Sequence, residues 1–184
     1  MSFVSSAPEK HCDVKPDNWA LTGSDESPNS DVMLIDFGRA IDLLDANPSS
    51  PLDAQFLGDS STMAEGMACV AIQENRSWGL DADTYGLCAS AYVLLFGAHM
   101  EVCKDSATAR WKPTKPFRRY WNKKLWFDLF DTTLNSNVKG SSRSSGSHPN
   151  SLRRIRKSFE EYLDGGNRRN ELSTLLRQQA RMLR

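Results

Sequence analysis

Two short polar strings, held apart by a pattern of apolar runs, constrain this chain more than any other feature. The first, His11–Asn18, reads H-C-D-V-K-P-D-N, and the second, Asp36–Gly38, reads D-F-G. Between them lie the apolar runs Trp19–Leu21 and Val32–Ile35, separated by a stretch rich in Ser, Asp, Pro and Gly. Two apolar runs around such a polar turn are typical of a β-hairpin. Because antiparallel pairing folds the chain back on itself, the two polar strings are expected to lie together at one end of that hairpin.

The order and spacing of these strings match the catalytic loop H-x-D-x-K-x-x-N and the D-F-G motif of protein kinases, so the chain resembles that superfamily. Phosphoryl transfer needs positioning and neutralised charge more than covalent help from the protein. In this pattern Asp13 orients the incoming hydroxyl and Lys15 steadies the transferring phosphoryl group. Asn18 and Asp36, which the hairpin is expected to place side by side, offer oxygen ligands to magnesium. His11 is expected to have a structural role within the loop.

The site predicted from this resemblance has three overlapping parts. The catalytic residues are Asp13 and Lys15, the nucleotide-binding residues are Lys15, Asn18 and Asp36, and the magnesium ligands are Asn18 and Asp36. The implied cofactors are ATP and magnesium. Lys15 favours a protein serine/threonine kinase. Small-molecule kinases of the aminoglycoside and choline type, the rival within the enzyme class, usually lack this lysine and do not read D-F-G.

Further matches make the chain similar to the C-terminal lobe of the Bub family of mitotic spindle-checkpoint serine/threonine kinases, from His11 to about Arg184. The strings that carry the resemblance are H-C-D-V-K-P-D-N-W from His11, L-I-D-F-G-R-A-I-D-L from Leu34, Met67–Val70, Trp78, Tyr85–Gly86, Tyr92–Gly97, Phe117–Arg119 and Leu125–Phe130. The resemblance implies an ATP-dependent kinase acting on Ser or Thr of protein substrates, with checkpoint and kinetochore proteins as partners. It also implies a location at kinetochores in the nucleus, and in the cytoplasm.

Three positions depart from, or leave open, what this resemblance implies. Cys12 stands where many kinases have an Arg, and without that guanidinium a phosphorylated activation loop has no clamp, so switching by loop phosphorylation is not expected. The Glu that usually anchors the substrate-side loop is replaced by Ala71, unless Glu74 substitutes for it. The helical Asp that supports the catalytic loop is either Asp81 or Asp83.

Bulk composition excludes several other classes of protein. Charged residues make up 25% of the chain and acidic and basic residues balance at 23 each, so bulk charge does not favour direct nucleic-acid or membrane binding. The four cysteines include no Cys-x-x-Cys pair, which argues against a zinc site and predicts reduced thiols in the cytosol or nucleus. The longest apolar stretch, Leu87–Met100, falls short of the roughly 20 residues that span a bilayer. The first ten residues do not resemble a secretory signal.

The predicted fold class is mainly α with a short β-hairpin: a protein-kinase-like C-terminal lobe, or truncated α+β kinase fold without its N-lobe. The predicted division is an unstructured or remnant N-terminus (1–10) and a kinase C-lobe (11–184). The lobe comprises the catalytic loop, hairpin and D-F-G (11–38), an activation segment (39–80), a helical core (81–134), a flexible loop (135–151) and C-terminal helices (152–184).

Helices are predicted where apolar periodicity persists. One runs from Thr84 to Phe96, stopped by Gly97, and a second helical region covers Lys115–Leu134. Ser151 is predicted to cap a third helix. The remaining predictions are an apolar face of Leu152, Ile155, Phe159 and Leu163, a break at Asp164–Asn167, and a last helix marked by Leu172, Leu175, Leu176 and Leu183.

Within the printed sequence no G-x-G-x-x-G string occurs, and ten residues precede His11. We therefore expect a truncated chain, with apolar surface exposed where a kinase N-lobe would sit and with little activity in isolation, although the family assignment remains that of an enzyme. The alternative is a non-catalytic interaction module. Arginines outnumber acidic residues from Leu152 to Arg184. They are predicted to form a solvated face or, alternatively, a docking surface for an acidic partner.

Overall fold

The structure is a computed structural model, and helices make up about half of the residues that it describes. It describes residues 9–22, 31–49, 54–57, 68–135 and 148–182. The helices are α1 Leu43–Ala46, α2 Val70–Gln73, α3 Asp81–Phe96, α4 Lys123–Leu134, α5 His148–Asp164 and α6 Arg168–Met182. The strands are β1 Glu9–Lys10, β2 Trp19–Thr22, β3 Asp31–Leu34, β4 Ile41–Asp42, β5 Val102–Lys104 and β6 Trp111–Pro113.

The chain divides into two compact units. The first comprises Met1–Pro116 with Thr133–Lys139, and the second comprises Phe117–Thr132 with Gly140–Arg184. The mainly α fold with a short hairpin, predicted from the sequence, is confirmed. Within the described residues, none of the helices combines the length and the apolar character that crossing a bilayer requires.

The first unit contains the predicted hairpin. Strands β2 and β3 pair antiparallel in a register that sets Trp19 opposite Leu34. The ladder continues one step past the strands, because the Ile35 N–H donates to the Asn18 carbonyl oxygen at 2.8 Å. The two polar strings therefore meet at this end of the hairpin.

A second strand pair was not predicted. Glu9 and Lys10 form β1, which pairs antiparallel with β4, so that Lys10 lies opposite Ile41. Glu9 and Lys10, which the sequence assigned to an unstructured or remnant N-terminus, are therefore part of a strand pair. Two-residue strands carry no periodicity of their own, and this pairing depends on a partner some thirty positions away along the chain.

The predicted activation segment (39–80) contains short strands and helices. Strand β4 leads directly into α1, where the Asp42 Oδ1 accepts a hydrogen bond from the Leu44 N–H at 2.8 Å and caps the helix. Helix α2 follows after a stretch that is largely outside the described residues. Leu43 is fully buried, which explains why so short a helix forms.

Helix α3 begins three residues before the predicted start and ends where predicted. Its first turn carries Asp81 and Asp83, whose charges are favourable near a helix N-terminus. It ends at Gly97, which adopts a left-handed conformation (φ 66°) and donates its N–H to the Val93 carbonyl.

A third strand pair, the hairpin β5–β6, follows α3 and was not predicted either. The Asp105 Oδ1 accepts bonds from the backbone N–H groups of Ala107 and Thr108, which closes the turn. Asn135 then clamps the second strand: its Oδ1 accepts from the Trp111 N–H at 2.7 Å and its Nδ2 donates to the Trp111 carbonyl at 2.9 Å.

The second unit contains α5, α6 and most of α4. Helix α4 begins at Lys123, later than the predicted Lys115, because the Asn122 side chain caps it by accepting from the Leu125 N–H. Helix α5 begins at His148, so Ser151 lies inside the helix and is not its cap. The last residues of the predicted flexible loop are therefore helical, while 136–147 lie outside the described residues.

The predicted apolar face of α5 is present. Ile155 is buried, and Phe159 packs edge-on against Trp126 with ring centroids 5.1 Å apart. The predicted break follows α5, with Gly166 in a left-handed conformation. In α6, by contrast, Leu172 and Leu175 are exposed, and the side chains of Leu176 and Leu183 lie outside the description.

Candidate active site

The first turn of α3 holds the backbone of the His11–Asn18 loop through hydrogen bonds. The Asp83 Oδ2 accepts from the His11 N–H at 2.9 Å, and its Oδ1 accepts from the Cys12 N–H at 2.7 Å. These bonds fix Cys12 in a left-handed conformation (φ 61°) that non-glycine residues seldom adopt. Of the two aspartates that the sequence left open, Asp83 is therefore the one that supports the loop.

Asp81 has a different task in the same turn. It accepts from the Gly79 N–H at 2.5 Å and from the Cys69 thiol at 3.4 Å. It thus connects the start of α3 to the residues that precede α2. Burial, and then the Asp81 charge, raise the pKa of the Cys69 thiol to about 12, so the thiol remains protonated and able to donate.

Close packing of α3 also fixes the distance between this helix and the backbone of the catalytic loop. A Cβ placed on Gly86 would lie 2.4 Å from the Val14 carbonyl oxygen, far inside van der Waals contact. Only glycine lets the helix approach the loop backbone this closely. Gly86 is part of one of the strings that carry the family resemblance, but the sequence alone does not show why glycine is needed there.

His11 is a structural residue here, as expected. Its Nδ1 accepts from the Asp13 N–H at 3.3 Å, which leaves Nε2 to carry the proton and donate to the Ile35 carbonyl at 2.9 Å. The ring also contacts Phe37 edge-on at 4.7 Å. His11 therefore connects the loop to the D-F-G string.

Asp13, Lys15 and Asn18 are in direct mutual contact. The Asp13 Oδ2 accepts from the Lys15 Nζ at 2.8 Å and from the Asn18 Nδ2 at 3.2 Å. The Asn18 Nδ2 also donates to the Asp13 carbonyl at 2.8 Å, so both of these contacts use the amide nitrogen of Asn18 and neither uses its amide oxygen. The second carboxylate oxygen, Asp13 Oδ1, is buried and has no hydrogen-bond partner among the described residues.

The charges in this group reinforce one another. Burial by itself would raise the pKa of Asp13, but the hydrogen bond and charge of Lys15, together with the Asn18 amide, outweigh burial and hold that pKa below its ordinary value. The hydrogen bond to Asp13 raises the pKa of Lys15, and the charges of Asp36 and Asp17 add to the effect. Asp13 is therefore an ionised carboxylate over the neutral pH range.

Asp36 lies one residue beyond the position expected from simple side-by-side pairing. Asn18 is opposite Ile35, and Asp36 follows in a left-handed conformation (φ 64°) that turns the chain out of the hairpin. Its Oδ1 accepts from the Gly38 N–H at 3.3 Å, and the side chain is exposed. The structure therefore brings Asp13, Lys15 and Asn18 into contact, and places Asp36 next to them along the hairpin end.

This donor set suits magnesium, by its chemistry. The exposed carboxylate of Asp36 and the amide oxygen of Asn18 are hard oxygen ligands, and magnesium takes its other ligands from water and phosphates. Across the described residues no three His, Cys, Asp or Glu side chains cluster as an all-protein metal cage would require. A site of one carboxylate and one amide, completed by a nucleotide, is compatible with that finding.

Glu74 forms an anchor near the end of α2. It pairs with Lys104 at 2.8 Å and Arg76 at 2.7 Å, and accepts from the Trp111 Nε1 at 3.1 Å. These contacts fasten the stretch after α2 to the β5–β6 hairpin. Sequence reasoning named Glu74 as a substitute for the Glu that Ala71 replaces, and its contacts agree with an anchoring role.

Comparison with known proteins identifies relatives of this chain. No protein-family model matches the chain. It is 33% identical over 169 residues to the mitotic checkpoint serine/threonine-protein kinase BUB1 of Arabidopsis thaliana, covering 83% of this chain and 30% of that protein. It is 30% identical over 141 residues to the spindle assembly checkpoint serine/threonine-protein kinase BUB1 of Saccharomyces cerevisiae, covering 68% of this chain and 13% of that protein.

A solved structure from the same group of proteins is also similar to this chain. The crystal structure of the BubR1 kinase domain superposes with a TM-score of 0.63 at 28% identity, covering 85% of this chain and 45% of that domain. The chain thus spans less than half of the kinase domain and less than a third of the curated relatives' lengths.

Proposed function

This chain belongs to the Bub family as a kinase-like region, and on that premise we propose that it carries the catalytic loop and magnesium-binding loop of an ATP-dependent protein serine/threonine kinase. The observation that carries the proposal is the state of Asp13. One of its carboxylate oxygens is held by Lys15 and Asn18, while the other is buried with no partner in the described part of the chain. A carboxylate that its neighbours orient and keep ionised is what accepting the hydrogen bond of a substrate hydroxyl requires.

Each residue then has a role that its contacts support. Asp13 accepts the hydrogen bond of a Ser or Thr hydroxyl and orients it. Lys15, already next to Asp13, neutralises charge on the group being transferred. Asn18 and Asp36 hold the metal through the amide oxygen and the carboxylate. ATP with magnesium supplies the phosphoryl group and the charge that neutralises it.

The relatives' names extend the proposal to a biological setting. We infer a role in mitotic spindle-checkpoint signalling, with protein substrates and with checkpoint and kinetochore proteins as partners. A nuclear and kinetochore location, with a cytoplasmic pool, follows from the same inference.

One observation keeps a second candidate function in view. The 184 printed residues include no glycine-rich phosphate loop of the kind that covers ATP in protein kinases. The chain as printed would then act as a non-catalytic interaction module that retains the kinase-like lobe. Nucleotide binding separates the two functions.

The experiment is a titration of the 184-residue chain with Mn²⁺ and a non-hydrolysable ATP analogue, followed by NMR. We expect paramagnetic broadening of the backbone amides of Asn18, Ile35 and Asp36, because the metal would lie beside them. Asp36→Asn should remove the broadening, since it deletes the metal carboxylate. Asp17→Asn, which changes an exposed carboxylate in the same loop, is the matched control and should keep it.

Two outcomes would contradict the proposal. One is no nucleotide-dependent broadening at all at millimolar analogue, which would favour the interaction module. The other is broadening of equal strength in Asp36→Asn, which would mean that the metal is held elsewhere.

A further inference from the structure

Lys10, directly before the catalytic loop, is fully buried, with 0% of its surface exposed. Lysine is almost never found in this environment, because transferring an ammonium group out of water is costly unless specific contacts repay it. Among the described residues it forms no ion pair. The cost of burying its ammonium group must therefore be offset by other contacts. The assignment of residues 1–10 to an unstructured or remnant N-terminus did not predict such contacts.

The contacts of Lys10 converge on one short piece of chain, residues 54–57, here called the 54–57 strip. The Lys10 Nζ donates to the Ala54 carbonyl at 3.0 Å. It also lies over the Phe56 ring, 4.4 Å from its centroid, and 5.8 Å from that of Trp78. A cation over desolvated aromatic faces is a favourable arrangement, so these contacts offset part of the cost of burial.

A second attachment of the strip runs through Trp78. Phe56 and Trp78 exchange two backbone hydrogen bonds, of 2.8 and 3.0 Å, and their rings are 5.2 Å apart. Ala54 is buried, whereas Leu57 is 88% exposed. The strip is therefore fastened at Ala54 and Phe56, and Lys10 contacts both fastened residues.

Lys10 connects this strip to the candidate active site. Its neighbours His11 and Cys12 are bonded to Asp83, and Asp13 follows directly. Trp78 in turn precedes Gly79, whose N–H is held by Asp81 in the same helical turn. The strip, the catalytic loop and the first turn of α3 thus form a closed ring of contacts, with Lys10 inside it.

We propose that Lys10 is a positioning residue that docks the 54–57 strip onto the base of the catalytic loop and so holds the segment after D-F-G without a phosphate. In many kinases a loop phosphate paired with arginine does this work. Here the residue before Asp13 is Cys12, whose pKa is raised to about 11, first by burial and then by Asp83, so its side chain is neutral. The inference rests on the proposed function, because it concerns how that site is kept assembled.

The test measures amide hydrogen exchange by NMR in the 184-residue chain, shown by mass spectrometry to carry no phosphate and without nucleotide. In the wild type, the Phe56 and Trp78 amides should be protected. In Lys10→Met, which keeps the length and loses the charge and donor, they should exchange about tenfold faster or more. The amides of the β2–β3 hairpin should remain within about twofold. Lys124→Met, a surface lysine on α4, is the matched control and should change nothing.

A conservative variant separates positioning from simple core packing. If Lys10 only filled space, Met would fit better than Arg, and Lys10→Arg would be the more disruptive change. If the ammonium docks the strip, Lys10→Arg should retain more protection at Phe56 and Trp78 than Lys10→Met does. The reverse order would overturn the proposal, as would unprotected Phe56 and Trp78 amides in the unphosphorylated wild type.

A second variant covers the case in which Lys10→Met does not fold. Phe56→Leu leaves Lys10 in place and removes the ring beneath it, and it should also speed exchange at Trp78. If both variants fold, their effects should be less than additive, because they remove the same docking contact. Fully additive effects, or exchange that rises uniformly across all amides, would count against the proposal. Since no nucleotide is used, failure of metal binding at Asp36 would leave this result interpretable.

Discussion

At the scale of single residues, burial and charge decide which of several similar side chains acts. Asp81 and Asp83 stand two positions apart in one helical turn, yet only Asp83 reaches the N–H groups of His11 and Cys12. Asp13 is kept ionised by Lys15 even though it is buried. These differences depend on where each side chain points, which residue type alone does not reveal.

The cysteines yield a prediction at this scale. Burial raises the pKa of Cys69 and of Cys88 to about 12, and burial with the Asp83 charge raises that of Cys12 to about 11. Because only the thiolate reacts, native Cys12, Cys69 and Cys88 should be alkylated by iodoacetamide at pH 8 roughly 10²-fold more slowly than in the unfolded chain. Peptide mass spectrometry after timed quenching measures the rates, with protein in urea as the control. If native Cys12 reacted as fast as it does in urea, the pKa of its thiol could not be raised in the folded protein.

At the scale of elements, α3 is the platform on which the site is built. It supplies Asp83 to the loop, presents Gly86 to Val14, and ends at Gly97. Helix α2 and the stretch after it are attached separately, through Glu74 and the β5–β6 hairpin. The two attachments predict different consequences of mutation.

Gly86→Ala should destabilise the protein although alanine is the better helix former. The gain in helix propensity is about 1 kcal/mol, whereas forcing a Cβ to within 2.4 Å of the Val14 carbonyl should cost about 2–3 kcal/mol as overpacking. Urea unfolding measures the net loss, and the amide shifts of His11 and Cys12 report displacement of the loop. Gly97→Ala is the control: its added Cβ meets no atom within 4 Å, so it should lose stability only from its left-handed backbone and leave those amides unmoved. Unchanged stability in Gly86→Ala would refute the close approach.

Glu74→Gln should lower stability in a way that depends on pH. Burial alone would raise the pKa of Glu74, but Lys104, Arg76 and the Trp111 N–H together lower it below 4.5. A carboxylate whose folded-state pKa is depressed stabilises the protein above its unfolded pKa, and the contribution is lost as pH falls through the folded value.

Unfolding of wild type and Glu74→Gln in urea at pH 7, 5 and 3 tests this prediction. The variant should be about 1 kcal/mol less stable at pH 7, and the difference should shrink toward pH 3. Glu160→Gln, in an exposed pair with Arg156 on α5, is the control and should show little difference at any pH. A Glu74→Gln deficit that stayed constant down to pH 3 would rule out the ionised anchor.

At the scale of the whole molecule, the chain forms two compact units, and the first of them holds the candidate site. The β2–β3 hairpin of that unit exposes large apolar side chains: Leu21 is 78% exposed, Val32 59% and Met33 51%. Apolar surface of this kind was predicted on the side that faces the N-lobe in a two-lobed kinase. Of these side chains, Leu21 and Val32 are cross-strand partners on one face of the hairpin, and exposed apolar groups that adjoin one another usually mark a surface that contacts something else.

Phosphoryl transfer by the 184-residue chain alone should be slow. Protein kinases turn over about 1–100 times per second with a glycine-rich loop and a lysine on the α- and β-phosphates. A chain that offers the Asp13 and Asp36 side of the site without such a loop should be at least 10³-fold slower, by order-of-magnitude reasoning from transition-state positioning. Transfer of label from γ-radiolabelled ATP to a Ser/Thr protein substrate measures it. Robust turnover that Asp36→Ala abolishes would refute the slow rate while supporting the site.

The sequence by itself determined the features that depend on neighbours along the chain. The spacing within His11–Asn18, the hairpin that leads to Asp36, and the helix stop at Gly97 all follow from local residue patterns. The predicted roles of the side chains in the loop and at Asp36 also came from this spacing, and they stay predictions until binding is measured.

Only the tertiary structure decided the features that depend on distant parts of the chain. The choice of Asp83 over Asp81, the need for glycine at 86, the β1–β4 pairing and the burial of Lys10 against residues 54–57 all join positions about thirty or more residues apart. Such contacts leave no local periodicity, since a side chain's partner, and hence its burial and charge, is set by the packing of the folded chain.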